Sequence, residues 1–170
     1  PHVTVAQSNQ EMIDRSDIIF LAIRPQVASE VLAALRFRAD QRIVSLIATF
    51  SQADILARVH PAMTVTCAVP LPTVAMHLSP TVIFPPDPVI AALFRKLGTA
   101  IEVTNEQQFR ALLSVTSGMG AFFTLLDSFM SWLATHHVER SAAHEYTSMM
   151  FLGLAKVAHE RRRPFDELAQ

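Results

Sequence analysis

The sequence predicts an α/β fold that passes into an all-α one. A doubly wound, mostly parallel sheet is expected over residues 1–103, and helices alone over 104–170. Three observations carry this. Short runs rich in β-branched residues, Asp17 to Ile23, Arg42 to Ala48 and Met63 to Val69, alternate with helix-like segments at a regular pace. These runs are nearly continuous in apolar character, as in strands covered on both faces. After Val103 the remainder reads as helix only.

In chain order, Val3-Thr4-Val5 is strand-like, and Ser8 with Glu11 has capping-box spacing for a first helix. The strand Asp17 to Ile23 follows. Pro25 favours a first helical turn, and the helix Gln26 to Phe37 is expected behind it. After the strand Arg42 to Ala48, Ser51 and Asp54 form a weaker capping pair ahead of another helix. Pro70-Leu71-Pro72 breaks the pattern after Met63 to Val69, and Pro85-Pro86-Asp87-Pro88 breaks it again after the strand Thr81 to Phe84. Asp87 is expected to cap a helix with Pro88 at its first position and Gly98 as its left-handed terminator. The strand Thr99 to Val103 closes the α/β part. Thr104 and Gln107 then suggest a capping box for Glu106 to Val115. Ser117-Gly118-Met119-Gly120 interrupts the pattern before Ala121 to Thr135, and a last helix runs from Glu139 or Arg140 to about Arg162.

Composition bounds the function. Hydrophobic residues make up 51%, charged residues 17%, and mean hydropathy is +0.30. Apolar surface in such excess points to a subunit interface. The segment Ala121 to Ala134 is apolar almost all round, and a second subunit is its expected cover. A net charge of -1 gives no electrostatic case for nucleic acid or an acidic membrane. The dense basic run Arg161-Arg162-Arg163 reads as a solvated helix end. The single cysteine, Cys67, excludes a disulfide framework within the chain and suits a reducing, cytoplasmic compartment. No signal peptide is visible. Ala121 to Ala134 is interrupted by Asp127 and reads as too short for a bilayer span, so no membrane partner is expected. Because the chain opens at Pro1, directly in a strand-like run, further sequence is expected upstream.

Two constellations carry candidate chemistry. Leu21-Ala22-Ile23-Arg24-Pro25-Gln26 lies where a strand meets a helix, the edge at which ligands bind in such sheets. Arg24 there either reaches a phosphate or closes the sheet edge. Ser117-Gly118-Met119-Gly120 allows close backbone approach and offers free N–H groups to an anion; the alternative is a glycine-relieved helix crossing. His136, His137 and His144 lack companions at ligand spacing, so they read as a polar helix connection and no metal is expected. No Ser has a His/Asp partner pattern that spacing establishes.

Taken together, Asn9-Gln10-Glu11, SDIIFLAIRPQ, SLIA, the proline break, FPPDPVIAALFRKLGTAIEV, SVTSGMGAFF and FLGLAKVAHE resemble pyrroline-5-carboxylate reductases in order and spacing over essentially the whole chain. The resemblance implies a partial Rossmann-type domain and a helical dimerisation domain that interleaves with its partner in a homodimer or higher homo-oligomer. It also implies hydride transfer from NADPH or NADH to the carbon–nitrogen double bond of a small cyclic imine, giving proline. By position, Asn9 would lie near the adenosine ribose or its phosphate. Ala22, Arg24 (usually Lys in the family) and Pro25 would line the cofactor, Ala48 would sit by its nicotinamide half, and Val69 and Pro70 would flank the nicotinamide. Ser117, Gly118, Met119 and Gly120 match a Ser-Gly-Ser-Gly loop bordering the substrate pocket.

The sequence departs from that pattern in three places. Leu71-Pro72-Thr73 stands where the family has Asn-Thr-Pro, which removes an amide beside the nicotinamide. Met119 replaces a Ser and Ala121 a Pro, which makes the glycine loop more apolar. Neither the glycine fingerprint at the amino end nor the Ser-Pro-Gly-Gly-Thr-Thr segment at the carboxyl end is in this sequence, and the chain reads as truncated at both ends. No residue stands out as an obligatory general acid. Two other readings follow from these departures. One is a catalytically inactive dimerisation or regulatory paralogue; the other is a related reductase of a different imine or keto acid.

Overall fold

The computed structural model describes residues 3–161 and 164–168, so the Arg161–Arg163 run falls largely outside it. The chain forms two compact units, residues 1–115 and 116–170. In the first, the strands β1 (Ile18–Leu21), β2 (Arg42–Ser45), β3 (Thr64–Val69), β4 (Ser79–Phe84) and β5 (Gly98–Glu102) lie side by side in sequence order. The helices α1 (Asn9–Asp14), α2 (Pro25–Ala33), α3 (Gln52–Arg58), α4 (Pro88–Phe94) and α5 (Glu106–Val115) connect and cover them.

β1, β2 and β3 are parallel, in the register Ile18–Arg42–Thr64, as their apolar runs predict. β4 is antiparallel to β3, pairing Cys67 with Phe84, and β5 is parallel to β4. The reversal has a local cause. A parallel return needs a crossover of a dozen or so residues, and residues 70–78 fit only a 3-10 turn, Pro72–Met76.

One face of the sheet buries Ile19, Leu21, Ile43 and Val65 against Ile13, Ala28, Leu32 and Ile55 of α1, α2 and α3. Further along the same face, Cys67 and Val82 meet Phe109 of α5. On the other face Val44, Ala68 and Ile83 pack under Ile90, Ala91 and Phe94 of α4. Each fully buried aliphatic or aromatic side chain contributes about 1.5–3 kcal/mol. Two polar groups tie these layers. Buried Gln41 donates to the carbonyls of Ile13 and Ser16 at 2.7 and 2.9 Å, which satisfies the open end of α1. Asp87 accepts from the amides of Val89 and Ile90 at 3.0 and 3.2 Å, capping α4 as its place before Pro88 predicts. Its other oxygen takes the Arg42 guanidinium and the Thr66 hydroxyl. Thr81 is buried with no partner for its hydroxyl.

Several expectations are corrected. Val3 and Val5 are 83% and 89% exposed coil, because no described strand lies beside them to take their backbone bonds. The helix expected to reach Phe37 stops at Ala33, and the backbone beyond it is held instead by Gln10 and Gln41. β2 stops at Ser45, short of Ala48, and β4 begins at Ser79. Gly98 has a positive φ of 141°, but it opens β5 and does not terminate α4. The α5 cap is Asn105, whose Oδ1 accepts from Gln108 N at 2.8 Å; it is not Thr104. Both 118 and 120 lie within a helix, so the glycine segment is the start of α6 and not a gap before it.

The second unit comprises α6 (Gly118–Thr135), α7 (Arg140–Arg161) and the short α8 (Phe165–Leu168). Phe151 of α7 packs on Phe122 and Phe129 of α6, with ring centroids 5.4 and 6.0 Å apart. No residue of α6 is buried within the chain, and Phe123, Trp132, Tyr146 and Leu152 stand more than half exposed. The cover expected for α6 is therefore not supplied by its own unit. One length expectation also changes. By length and composition alone, the stretch 106–135, α5 and α6 with the turn between them, passes for a membrane span.

Burial pushes the Cys67 thiol up from its ordinary 9.0 to about 11, with the Glu106 carboxylate adding to the rise. At neutral pH the thiolate fraction is then on the order of 10⁻⁴, so native protein is expected to resist alkylation and denatured protein to react readily. A folded pKa above the unfolded one also means that this contribution is intact below about pH 9 and is lost as pH rises toward 11. Rapid labelling of the folded protein at pH 7 would contradict both.

Candidate functional site

Three parallel strands end together. Leu21 is in register with Ser45, and Ser45 with Cys67, so the loops 22–24, 46–51 and 70–78 leave one edge of the sheet in the order β1, β2, β3. An open α/β sheet offers its ligand crevice at this carboxyl edge. Because β4 runs back antiparallel and β5 follows β4, the amino ends of those two strands, Ser79 and Gly98, lie at the same edge.

Six of the sequence-predicted residues meet here. Ala22 and Arg24 follow β1 and are exposed; Pro25 is half-buried as the first residue of α2. The Arg24 side chain makes no cap hydrogen bond to α2 and, among the described residues, no ion pair. Ala48 is exposed in the loop after β2. That loop is steadied at its far side by Arg58, whose guanidinium lies 4.9 Å from the Phe50 ring centre, and by the capping box of Ser51 and Asp54. Hydrogen bonds from Ser51 hold the Asp54 carboxyl below the usual carboxylate range. Val69 ends β3 and Pro70 follows it, both half-buried.

Asn9 sits apart from these six. It is the exposed first residue of α1, and its neighbour Gln10 bonds both ways to the Arg36 backbone just beyond α2, at 2.9 and 3.0 Å. Ser117, Gly118, Met119 and Gly120 belong to the second unit, at the head of the 18-residue α6. All four are exposed, Met119 to 40%. A methyl group added at Gly118 or Gly120 would meet nothing within 4 Å, so packing inside this chain does not require either glycine.

One structural element was not singled out by the sequence. Leu71 donates its amide to the buried Ser79 hydroxyl at 2.8 Å, and that hydroxyl donates in turn to the Pro80 carbonyl at 3.2 Å. Ser79 is pressed by Gly98, where an added Cβ would lie 2.3 Å from the Ser79 carbonyl oxygen. The 70–78 loop is thus pinned to the β4–β5 corner. Only the proline pair around Leu71 hinted at such rigidity. In the second unit, a groove of about 360 Å³ is lined by Asp127, Ser131, Arg140 and His144 among others. His136 stacks on Trp132 at 4.1 Å between centroids, and no group of three His, Cys, Asp or Glu among the described residues could hold a metal.

With this geometry in hand, comparison with known proteins gives consistent findings. The family described as NADP oxidoreductase, coenzyme F420-dependent, matches residues 2–49. A pyrroline-5-carboxylate reductase of Methanosarcina acetivorans is 26% identical over 171 aligned positions, which span 93% of this chain and 62% of that protein. The crystal structure of the Streptococcus pyogenes 1-pyrroline-5-carboxylate reductase shares the fold at a TM-score of 0.83 and 18% identity, covering 96% of this chain and 66% of that one. The Plasmodium falciparum pyrroline carboxylate reductase, solved with NADP bound, also gives 0.83, at 14% identity over 96% and 65% of the two chains. The chain therefore has the fold of these proteins, a mostly parallel sheet followed by helices, and spans less than two thirds of their length.

Proposed function

We propose that this chain is a member of the pyrroline-5-carboxylate reductase family and forms the strand-end wall and the helical part of a reductase that uses NADP or NAD to reduce the C=N bond of a cyclic imine. Proline or a related cyclic amine would be the product. The observation that carries the reading is the carboxyl edge of β1, β2 and β3, where small exposed residues and one unpaired cation stand in a row.

The residues present fit part of a dinucleotide. Arg24 supplies a positive charge for a phosphate just ahead of α2, where Pro25 has no N–H and the Val27 amide donates to the Arg24 carbonyl at 3.2 Å, so the side chain and not the helix start carries this contact. Ala22 and Ala48 are short enough for a ligand to lie against the backbone. Val69 and Pro70 give an apolar surface to a flat ring, and Pro70 adds no competing N–H. No glycine precedes Gly98, so a glycine-rich pyrophosphate loop is not among these residues. When bound, the cofactor supplies the hydride. The protein's part is to hold the nicotinamide against the imine carbon and to keep water from the pocket. By the same resemblance, Ser117, Gly118, Met119 and Gly120 are assigned to the border of the substrate pocket.

The test is cofactor binding and NADPH or NADH oxidation by the full-length protein with pyrroline-5-carboxylate and related imines. Turnover is expected. Loss of one charge-assisted contact of about 1.5–3 kcal/mol predicts that Arg24→Ala weakens cofactor binding about 10- to 100-fold. Failure of both nucleotides to bind at millimolar concentration would refute the reductase, and unchanged binding by Arg24→Ala would remove Arg24 from the site.

The helical unit is read as a self-association surface in a cytoplasmic homodimer or higher homo-oligomer. Phe123 at 65% and Trp132 at 58% exposure leave more apolar surface in water than a lone soluble unit carries. Sedimentation at micromolar concentration is expected to give a dimer or larger, and Phe123→Asp with Trp132→Asp to give monomers. A stable wild-type monomer contradicts this. Recovery only with detergent would assign the stretch 106–135 to a membrane instead.

A further inference from the structure

The helical unit carries polar chemistry of its own. α6 and α7 form an antiparallel hairpin, and the groove of about 360 Å³ runs between them. Asp127 and Ser131 line it from α6, one turn apart, and Arg140 and His144 line it from α7 at the same spacing. The hairpin fixes the order of charge along the groove. Arg140 opens α7 beside the turn, whereas Asp127 lies about 12 Å below Thr135 at the end of α6. One end is therefore acidic and the other basic, with Ser131 and His144 between. Among the described residues, no hydrogen bond or ion pair within the chain takes any of these four side chains.

Apolar surface continues past both ends. Phe123, one turn beyond Asp127, is 65% exposed, and Val138, beside Arg140, is 37% exposed. A second copy related by a two-fold axis can lie groove to groove on this face in two ways. With the axis along the groove, Asp127 meets the partner's Asp127 and Arg140 the partner's Arg140. Like charges brought together out of water are strongly disfavoured. With the axis across the groove, each acidic end lies against a basic end. Ser131 then faces the partner's His144, and Phe123 comes to the partner's Val138.

On this charge complementarity, and resting on the self-association reading, we infer that Asp127 pairs with the partner's Arg140, twice over, across a two-fold axis that crosses the groove. The exposed aromatic and aliphatic side chains supply the affinity, and the two ion pairs set the register in which the helical units join.

Sedimentation of the full-length protein at low ionic strength measures the dimer dissociation constant. Asp127→Arg and Arg140→Asp are each expected to raise it at least about 10-fold, since both ends of the interface then carry like charges. An equimolar mixture of the two variants should recover wild-type association as heterodimers. In the mixture the two reversed positions face each other, and so do the two unreversed ones; recovery also shows that both variants fold. Both substitutions in one chain should likewise associate as the wild type does. Single reversals that leave association unchanged overturn the inference. A double variant that recovers while the mixture does not places the pair within one chain and overturns it too. Failure of both assigns these charges to another segment of the protein, with the same consequence. A wild-type monomer overturns the self-association reading as well.

Discussion

Replacing Asp87 with alanine is expected to cost about 3–4 kcal/mol, a large share of the roughly 5–15 kcal/mol that holds a domain folded. Three interactions end on this one side chain, which is 6% exposed. It caps α4 through Val89 and Ile90, receives the Thr66 hydroxyl, and pairs with the Arg42 guanidinium. A lost cap alone is worth about 1 kcal/mol. The larger part is the arginine left without its partner. Removing one member of a buried pair costs about 3–5 kcal/mol, and here the lower end applies because the Arg42 side chain keeps 33% exposure and reaches water. Asp87→Asn should retain the cap and lose about half as much. Urea unfolding followed by circular dichroism measures both. A loss below about 1 kcal/mol for Asp87→Ala would mean that Arg42 is solvated in the folded protein.

Gly98→Ala is expected to be nearly as damaging, at about 2–4 kcal/mol, for a reason of shape and not charge. The residue has φ of 141°, a region costly for any side chain. Its new Cβ would also lie 2.3 Å from the Ser79 carbonyl oxygen and 2.8 Å from the Ser79 nitrogen, both backbone atoms that cannot swing aside. Relief requires β4 and β5 to part at the end where Ser79 holds Leu71. The substitution should therefore lower Tm by roughly 8–15 °C. Gly118→Ala and Gly120→Ala are the internal controls. Both would meet open space in this chain, so they should leave its thermal stability close to unchanged. A Gly98→Ala protein that melts with the wild type would show that the corner can relax.

Several sites were legible in the sequence because their causes are local. Asp87 before Pro88 caps a helix wherever a helix follows, and Ser51 with Asp54 forms its capping box within four residues. The apolar runs ending near Leu21, Ser45 and Val69 declare parallel strands, and parallel strands that end together put Ala22, Arg24, Ala48 and Pro70 at one edge of the sheet. The resemblance to the reductases drew on the same local strings in their order.

Contacts made at a distance were not legible. Thr104 with Gln107 has the right spacing for a cap, yet Asn105 takes the role, since side chains one position apart compete for the same amides. Gly98 reads as a helix terminator because nothing nearby reveals that Ser79, distant in sequence, presses on it from the neighbouring strand. Arg42 and Asp87 are each ordinary residues until the sheet brings them together.

The sequence alone determined most of the strand and helix segments though not their ends, that three strands run parallel, and that their common edge carries small residues and one arginine. Periodicity and capping act over a few residues, so composition suffices to state them. Only the tertiary structure decided that β4 turns back against β3, that the Ser79 hydroxyl and Gly98 lock the loop carrying Leu71, and that α6 stays uncovered within its own chain. Those outcomes depend on which surfaces meet across the sheet or between helices, and close packing between distant residues has no local signature to read.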